Sequence, residues 1–352
     1  MEALKKFLKK KEVTINLKTY GIDALGAMAQ GLFASLLIGT IIATIGEQFG
    51  IEILVTIGGY AKAVSGPAMA VSIGYALKAP QLVLFSLLAV GQAANILGGA
   101  GGPLAVLVIA IIAAECGKLI SKETKVDILL TPLVTILVGA LLATWWAPSI
   151  GAAASSLGNV IMWATELQPL LMGVIISVLM GIALTLPISS AAICAALGLT
   201  GLAGGAAVAG CCANMIGFAV LSFKDNGVGG LISQGVGTSM LQMGNIVKKP
   251  VIWLPVIITS AITGPIATVL FGLEMNGAAV ASGMGTCGFV GQIGVYTGWM
   301  NDIANGSKQM VTMFDWIGLA SICFILPAVI TIVIGYFFKK ANIIKDGDLK
   351  LI

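Results

Sequence analysis

Side chains able to do covalent chemistry are scarce in this sequence. Its 352 residues include no histidine, and all 19 basic residues are lysines. That excludes every mechanism needing a histidine on the chain: His–metal sites, Ser–His or Cys–His dyads, phosphohistidine relays. Six cysteines (Cys116, Cys194, Cys211, Cys212, Cys287, Cys323) lie in apolar or glycine-rich stretches without CxxC spacing. They read as buried small hydrophobes rather than ligands. No metal, no cofactor and no catalytic residue is expected. The stretch 283–288 is formally a GxGxxG, but a dinucleotide site needs a strand before it and a helix after it. No GxxxxGK[ST] is present, so the chain alone cannot drive transport with ATP.

Amides and hydroxyls remain. Asn214, Gln234, Thr238, Ser239, Gln242, Asn245, Thr286 and Gln292 crowd into otherwise apolar sequence. Such groups both donate and accept, which suits a neutral polyhydroxylated solute. An ion or amino-acid carrier more often shows buried acids or bases. Two of these clusters share an element: Gly235-Val236-Gly237-Thr238-Ser239 and Gly283-Met284-Gly285-Thr286-Cys287. GxG beside a hydroxyl breaks a helix and frees backbone amides, so Gly235, Gly237, Gly283 and Gly285 join the candidate substrate-binding set. Among the acids, Glu274 lies nearest to the second cluster.

The elements that must position these groups are membrane helices. Hydrophobic residues make up 58% of the chain, charged residues only 10%, and mean hydropathy is +1.04. A soluble protein carries about 25% charged residues. A soluble enzyme, a disordered tail and a nucleic-acid-binding domain are excluded. At roughly 20 residues per span, the chain predicts an all-α polytopic membrane protein with about ten transmembrane helices. Lysine placement puts both termini in the cytoplasm. Spans are expected near 22–46, 53–77, 80–97, 104–120, 128–146, 168–187, 190–204, 206–222, 251–273 and 314–338, with 148–166 irregular or interfacial. Segment 227–247 has cytoplasmic lysines at both ends (Lys224; Lys248, Lys249) and reads as a re-entrant hairpin. Segment 277–298 reads as a second hairpin entering from the outer side. Like sequences on opposite hairpins suggest an inverted repeat around a midplane site. Lys62 falls inside the second span and is expected at a break before Ser65-Gly66-Pro67. Residues 1–18 read as an amphipathic surface helix, with Leu4, Phe7 and Leu8 opposite Lys5, Lys6, Lys9 and Lys10.

Five longer stretches carry a family resemblance: LPISSAA (186–192), GCCANMIGFAVLSFKDNGVGG (210–230), QGVGTSMLQMGNIVKKP (234–250), SAITGPIATVLF (260–271) and GMGTCGFVGQIG (283–294). The chain resembles the membrane enzyme IIC family of the bacterial phosphotransferase system, in the branch that includes the PfoR-type proteins. The resemblance implies an elevator-like sugar permease in the bacterial cytoplasmic membrane. It implies a homodimer, a scaffold over 19–167, a transport domain over 168–340 and a cytoplasmic tail over 341–352. The hairpin tips would line the sugar site, and Ser189 and Ser190 of the first stretch join it. A separate enzyme IIB would phosphorylate the sugar, because no phosphoryl-carrying residue is expected here. Two alternatives share the scaffold: a secondary transporter or facilitator independent of phosphotransfer, and a membrane sensor or regulator.

Overall fold

The computed structural model describes residues 2–14 and 16–351. Among them the only β-pairing is an isolated antiparallel bridge between Gly201 and Met275. Everything else is helix or connection. Six helical stretches are long and apolar enough to cross a membrane: Thr19–Phe49, Gln81–Ile120, Asp127–Thr165, Gly201–Leu221, Pro250–Leu270 and Met313–Lys340. A shorter apolar helix spans Pro169–Thr185. The chain divides into two compact units, Met1–Ala154 and Ser155–Ile352.

In the first unit, Gln81–Ile120 is two legs, Gln81–Gly98 and Gly102–Ile120, turned at Gly99 with φ of 49°. The single span expected over 53–77 is instead two helices, Glu52–Ala63 and Ser65–Ala76, interrupted at Val64. Pro67 explains the break, because proline lacks an N–H and its ring collides with the carbonyl four residues back. Lys62 therefore sits in a last helical turn, half-buried. Segment 148–166 also differs from expectation: it continues one helix of 39 residues, Asp127–Thr165, straight through Pro148. Its small residues form a packing surface rather than a break; a Cβ on Gly151 would lie 2.5 Å from the Gly98 carbonyl oxygen. At 1.5 Å per residue the helix is about 58 Å long, well beyond the ~30 Å hydrocarbon core.

The N-terminal helix Glu2–Lys10 leaves Phe7 and Leu8 half-buried and Lys6, Lys9 and Lys10 exposed. The side chains of Leu4 and Lys5 lie outside the described residues. The segment after this helix is anchored by ions. Lys118, only 2% exposed, donates to the carbonyls of Glu12 and Leu77, each at 2.9 Å, and pairs with Glu115 at 3.1 Å. Lys11 pairs with Glu123 at 2.7 Å, and hydrogen bonds from Lys11 and Lys10 hold the Glu123 carboxyl below the usual carboxylate range.

The second unit is built on close helix approach. Gly210 of helix Gly201–Leu221 lies against the backbone of Pro169–Thr185, where a Cβ would meet the Ser177 carbonyl oxygen at 1.8 Å. At the same level the Ser177 hydroxyl donates to the Ser260 carbonyl at 2.7 Å, tying in Pro250–Leu270. Thr259 and Thr331 share a hydrogen bond of 2.8 Å, which brings in Met313–Lys340. The unit has two chemically different ends. At one, Leu221 touches Gly335, and Lys224, Lys248, Lys249, Lys339, Lys340, Lys345 and Lys350 gather. At the other, Gly201 pairs with Met275 and Phe271 packs on Phe314, near Glu274, Asp302 and Asp315.

Candidate functional site

Two irregular segments enter the second unit from its opposite ends. From the lysine-rich end, Phe223–Ile232, helical on either side of a kink at Gly227, leads to a wide turn Ser233–Gly237, then Thr238, a tight turn Ser239–Gln242 and helix Met243–Lys248. Thr238 is fully extended, at φ −158° and ψ 142°, and its hydroxyl accepts from the Met240 amide at 3.1 Å. The chain thus reverses at 235–239 and returns to the end it came from. From the acidic end, the chain passes Met275 and Gly277, descends through Ala279–Gly283, and reverses at 285–289. It climbs back along helix Val290–Ala304, where Gly294 and Gly298 sit against Gly277 and Asn276.

The two reversals touch. The Thr286 hydroxyl donates to the Gly235 carbonyl. Both residues lie beside the last two turns of helix Gly201–Leu221: Gly235 faces Ile216 and Ala219, and Thr286 reaches the Met215 sulfur at 3.5 Å. Gly285, at φ +53°, lies so close to Cys211 that a Cβ would meet its Cβ at 2.7 Å. Only glycine takes this left-handed conformation without strain, and here the space forbids a side chain as well.

The candidate polar residues take distinct places around this contact. Asn214 is completely buried, and its amide is saturated. It donates to Ser260 Oγ at 3.0 Å and to the Gly210 carbonyl at 3.2 Å, and it accepts from Trp253 Nε1 at 3.1 Å and Thr185 Oγ1 at 3.2 Å. Ser239 shares a hydrogen bond of 2.7 Å with Thr185. Ser190 donates to the Gly283 carbonyl at 2.7 Å, and Ser189 caps the helix Ser190–Leu197 by accepting from Ala192 N at 3.2 Å. Gln234, Gln242 and Asn245 form a ladder of amides toward the lysine-rich end. Gln242 donates to Gln234 Oε1 and Asn245 to Gln242 Oε1, each at 2.8 Å. Gln234 itself donates to Ser222 Oγ at 2.8 Å and to the Gly230 carbonyl at 2.9 Å.

Gln292 differs from all of these. It is 8% exposed and donates to Cys212 Sγ at 3.3 Å, while its Oε1 has no partner among the described residues. A buried acceptor without a partner is costly unless something else meets it. Replacing Gln292 by Met is therefore expected to leave folding stability within about 1 kcal/mol, because no protein hydrogen bond to Oε1 is lost. Loss of Asn214 would strip four. Paired thermal unfolding of Gln292→Met and Asn214→Leu checks this contrast.

One further feature leaves little trace in the sequence. At the acidic end a cavity of about 370 Å³ is lined by Glu274, Asn276, Trp299, Asp302, Lys308 and Asp315, among others. The Asn276 amide bridges two carboxylates, at 3.0 Å to Glu274 and 2.9 Å to Asp302. Lys308 pairs with Asp315 at 2.8 Å and lies 6.0 Å from the centre of the Trp299 ring. Glu274 was the only one of these acids that sequence position set beside the site. The other signal was the run of Trp299, Asp302, Lys308 and Asp315 just before the last apolar stretch. No group of three or more Cys, Asp or Glu among the described residues is placed to hold a metal ion.

Residues 22–351 match the family model PTS_EIIC_2, described as phosphotransferase system, EIIC. The chain belongs to this family, and so is a membrane component of a sugar phosphotransferase system, a class that works with a sugar and a IIB protein. Neither the curated proteins nor the solved structures contain a significant match to it.

Proposed function

We propose that this chain is the sugar permease of its system, and that sugar is held where the two chain reversals meet. One observation carries the site: segments entering from opposite ends of the second unit reach each other inside it, joined by Thr286 and Gly235 beside the last two turns of helix Gly201–Leu221. Non-helical backbone at membrane depth is tolerated where it lines a cavity or is buried in protein. Both segments are then re-entrant hairpins, and the lysine-rich end faces the cytoplasm with both chain termini. The acidic cavity is the outer vestibule. Its carboxylates and the Asn276 amide offer acceptors and donors to a hydroxylated solute.

In this arrangement the tips are closed on each other. Sugar enters when the Thr286–Gly235 contact opens. The freed Gly235 carbonyl and Thr286 hydroxyl, with the backbone of Gly237, Gly283 and Gly285, Thr238 and the unpartnered Oε1 of Gln292, then meet its hydroxyls. Asn214, Ser239, Ser189 and Ser190 hold the surrounding helices and position the tips. The second unit is the transport part and the first is the scaffold of a homodimer. A separate IIB protein phosphorylates the sugar at the cytoplasmic face, because no histidine exists here to carry a phosphoryl group.

The test is uptake of a labelled sugar panel into liposomes holding the purified chain. Uptake is expected only when phosphoenolpyruvate and the phosphotransfer proteins, IIB included, are enclosed. Equal uptake without them would identify a facilitator and reject this reading.

A further inference from the structure

The amide ladder has a second set of partners, and they come from the end of the chain. Residues 345–351 loop back beneath the lysine-rich end and seat themselves on it. The Leu349 carbonyl accepts from Asn226 Nδ2 at 2.8 Å and from Gln242 Nε2 at 2.9 Å. The Lys350 carbonyl accepts from Asn245 Nδ2 at 2.9 Å. The Leu351 amide donates to Asn226 Oδ1 at 2.8 Å. Asp225 receives the amides of Gly347 at 3.0 Å and Leu349 at 3.3 Å. Two ion pairs flank the loop, Lys224–Asp346 at 2.5 Å and Lys249–Asp348 at 2.6 Å. The Leu349 side chain is fully buried.

We propose that the surface formed by Asp225, Asn226, Gln242 and Asn245 is a docking groove for a peptide backbone, and that residues 345–351 occupy it as a displaceable strap. Three features lead there. The groove bonds the strap through main-chain atoms, so it recognises a peptide rather than any one side chain. Asp225 and Asn226 lie on the arm entering the reversal, and Gln242, Asn245 and Lys249 lie on the arm leaving it. The strap therefore ties both arms together, and they cannot part while it is seated.

The third feature is how lightly it is held. The strap forms no helix, and within 345–351 the Leu349 side chain is its single fully buried apolar anchor. One of its ion pairs, Lys224–Asp346, is exposed on both sides, and such pairs contribute little. Segments held this way open at far lower cost than the helices they cover. Hydrogen bonding to Lys224 lowers the Asp346 carboxyl pKa. Burial raises that of Asp348, but the bonds from Lys249 and the Lys345 amide outweigh it and leave a net lowering. Both acids are therefore charged, and the pairs intact, throughout the neutral range.

The consequence for transport, that the inner mouth opens only when the strap lifts, rests on the permease reading. The docking does not, so the test reads docking alone. In full-length Leu349→Asp chain the strap is expected to leave the groove. Hydrogen exchange over 223–248 should then quicken at least tenfold, while helices 169–185 and 201–221 keep their protection. A peptide KDGDLKL, fluorescently labelled at its N-terminus, should bind this variant at least tenfold more tightly than the wild-type chain, whose groove is filled. A peptide with aspartate in place of the leucine that corresponds to Leu349 should bind at least tenfold more weakly. Equal binding to both chains, or no binding to a variant whose helices stay protected, would overturn the proposal. So would loss of protection throughout the unit, which would make the segment a keystone of the fold rather than a strap.

Discussion

Gly210→Leu is expected to prevent the second unit from assembling. An added Cβ would lie 1.8 Å from the Ser177 carbonyl oxygen and 2.5 Å from its carbonyl carbon, both backbone atoms. No rotamer change relieves that collision, so the helices Gly201–Leu221 and Pro169–Thr185 must move apart. Overpacking alone costs about 1–3 kcal/mol, occasionally more. Separation also breaks the register that lets Ser177 reach the Ser260 carbonyl and Asn214 reach Ser260. Each buried polar group left unpaired adds about 1–3 kcal/mol. The sum, roughly 3–9 kcal/mol, rivals the whole stability of many domains, about 5–15 kcal/mol. The expected result is aggregated material on size exclusion, or a thermal transition lowered by more than 10 °C. Gly229→Leu is the control: Gly229 is helical and exposed, with nothing within 4 Å of an added Cβ. It should express and melt like wild type. Normal folding of Gly210→Leu would show that the two backbones are not in contact.

Much of this fold was legible because polar residues are conspicuous in so apolar a sequence. Runs such as 234–245 and the paired GxGT elements mark where regular helix gives way, and the structure has tight turns at both places, with the extended Thr238 at the first and the left-handed Gly285, Gly288 and Phe289 at the second. The helix ends at Ile120, Leu221 and Lys340 were readable from the lysines beside them, whereas the span expected at 190–204 is the eight-residue helix Ser190–Leu197. The partners of the amides were not. Gln242 and Leu349 are 107 positions apart, and no local pattern links them. A ladder of amides looks the same in sequence whether it meets a solute or a peptide carbonyl. The helix through Pro148 was unreadable for a different reason. Glycine and alanine weaken or favour a helix according to what packs against them, and that neighbour, the turn at Gly98, lies about fifty residues earlier. The acidic cavity escaped because charges beside an apolar span usually mark solvated loops. Only the fold brings Asp302 and Asp315 to face Lys308 and Asn276.

Gly285→Val is expected to remove sugar uptake while leaving a folded chain. Two costs fall on the same position. The backbone is left-handed, φ +53°, which penalises an L-residue by about 1–2 kcal/mol, and more for a branched one. The side chain would also meet the Cys211 Cβ at 2.7 Å and its carbonyl carbon at 2.9 Å. Unlike Gly210, this residue lies in an irregular turn, so the tip can shift without separating helices. That shift breaks the Thr286–Gly235 hydrogen bond and removes Thr286 from the meeting point. Phosphoenolpyruvate-dependent uptake should fall at least 100-fold, with the thermal transition lowered by only a few degrees. Gly306→Val separates the two costs. Gly306 is also left-handed, at φ +77°, but has nothing within 4 Å of an added Cβ, so it carries the backbone strain alone and should keep near-normal uptake. If Gly285→Val transports sugar as well as Gly306→Val does, the meeting of the tips is structural packing and the sugar is bound elsewhere. The acidic cavity around Asn276 would then be the place to look.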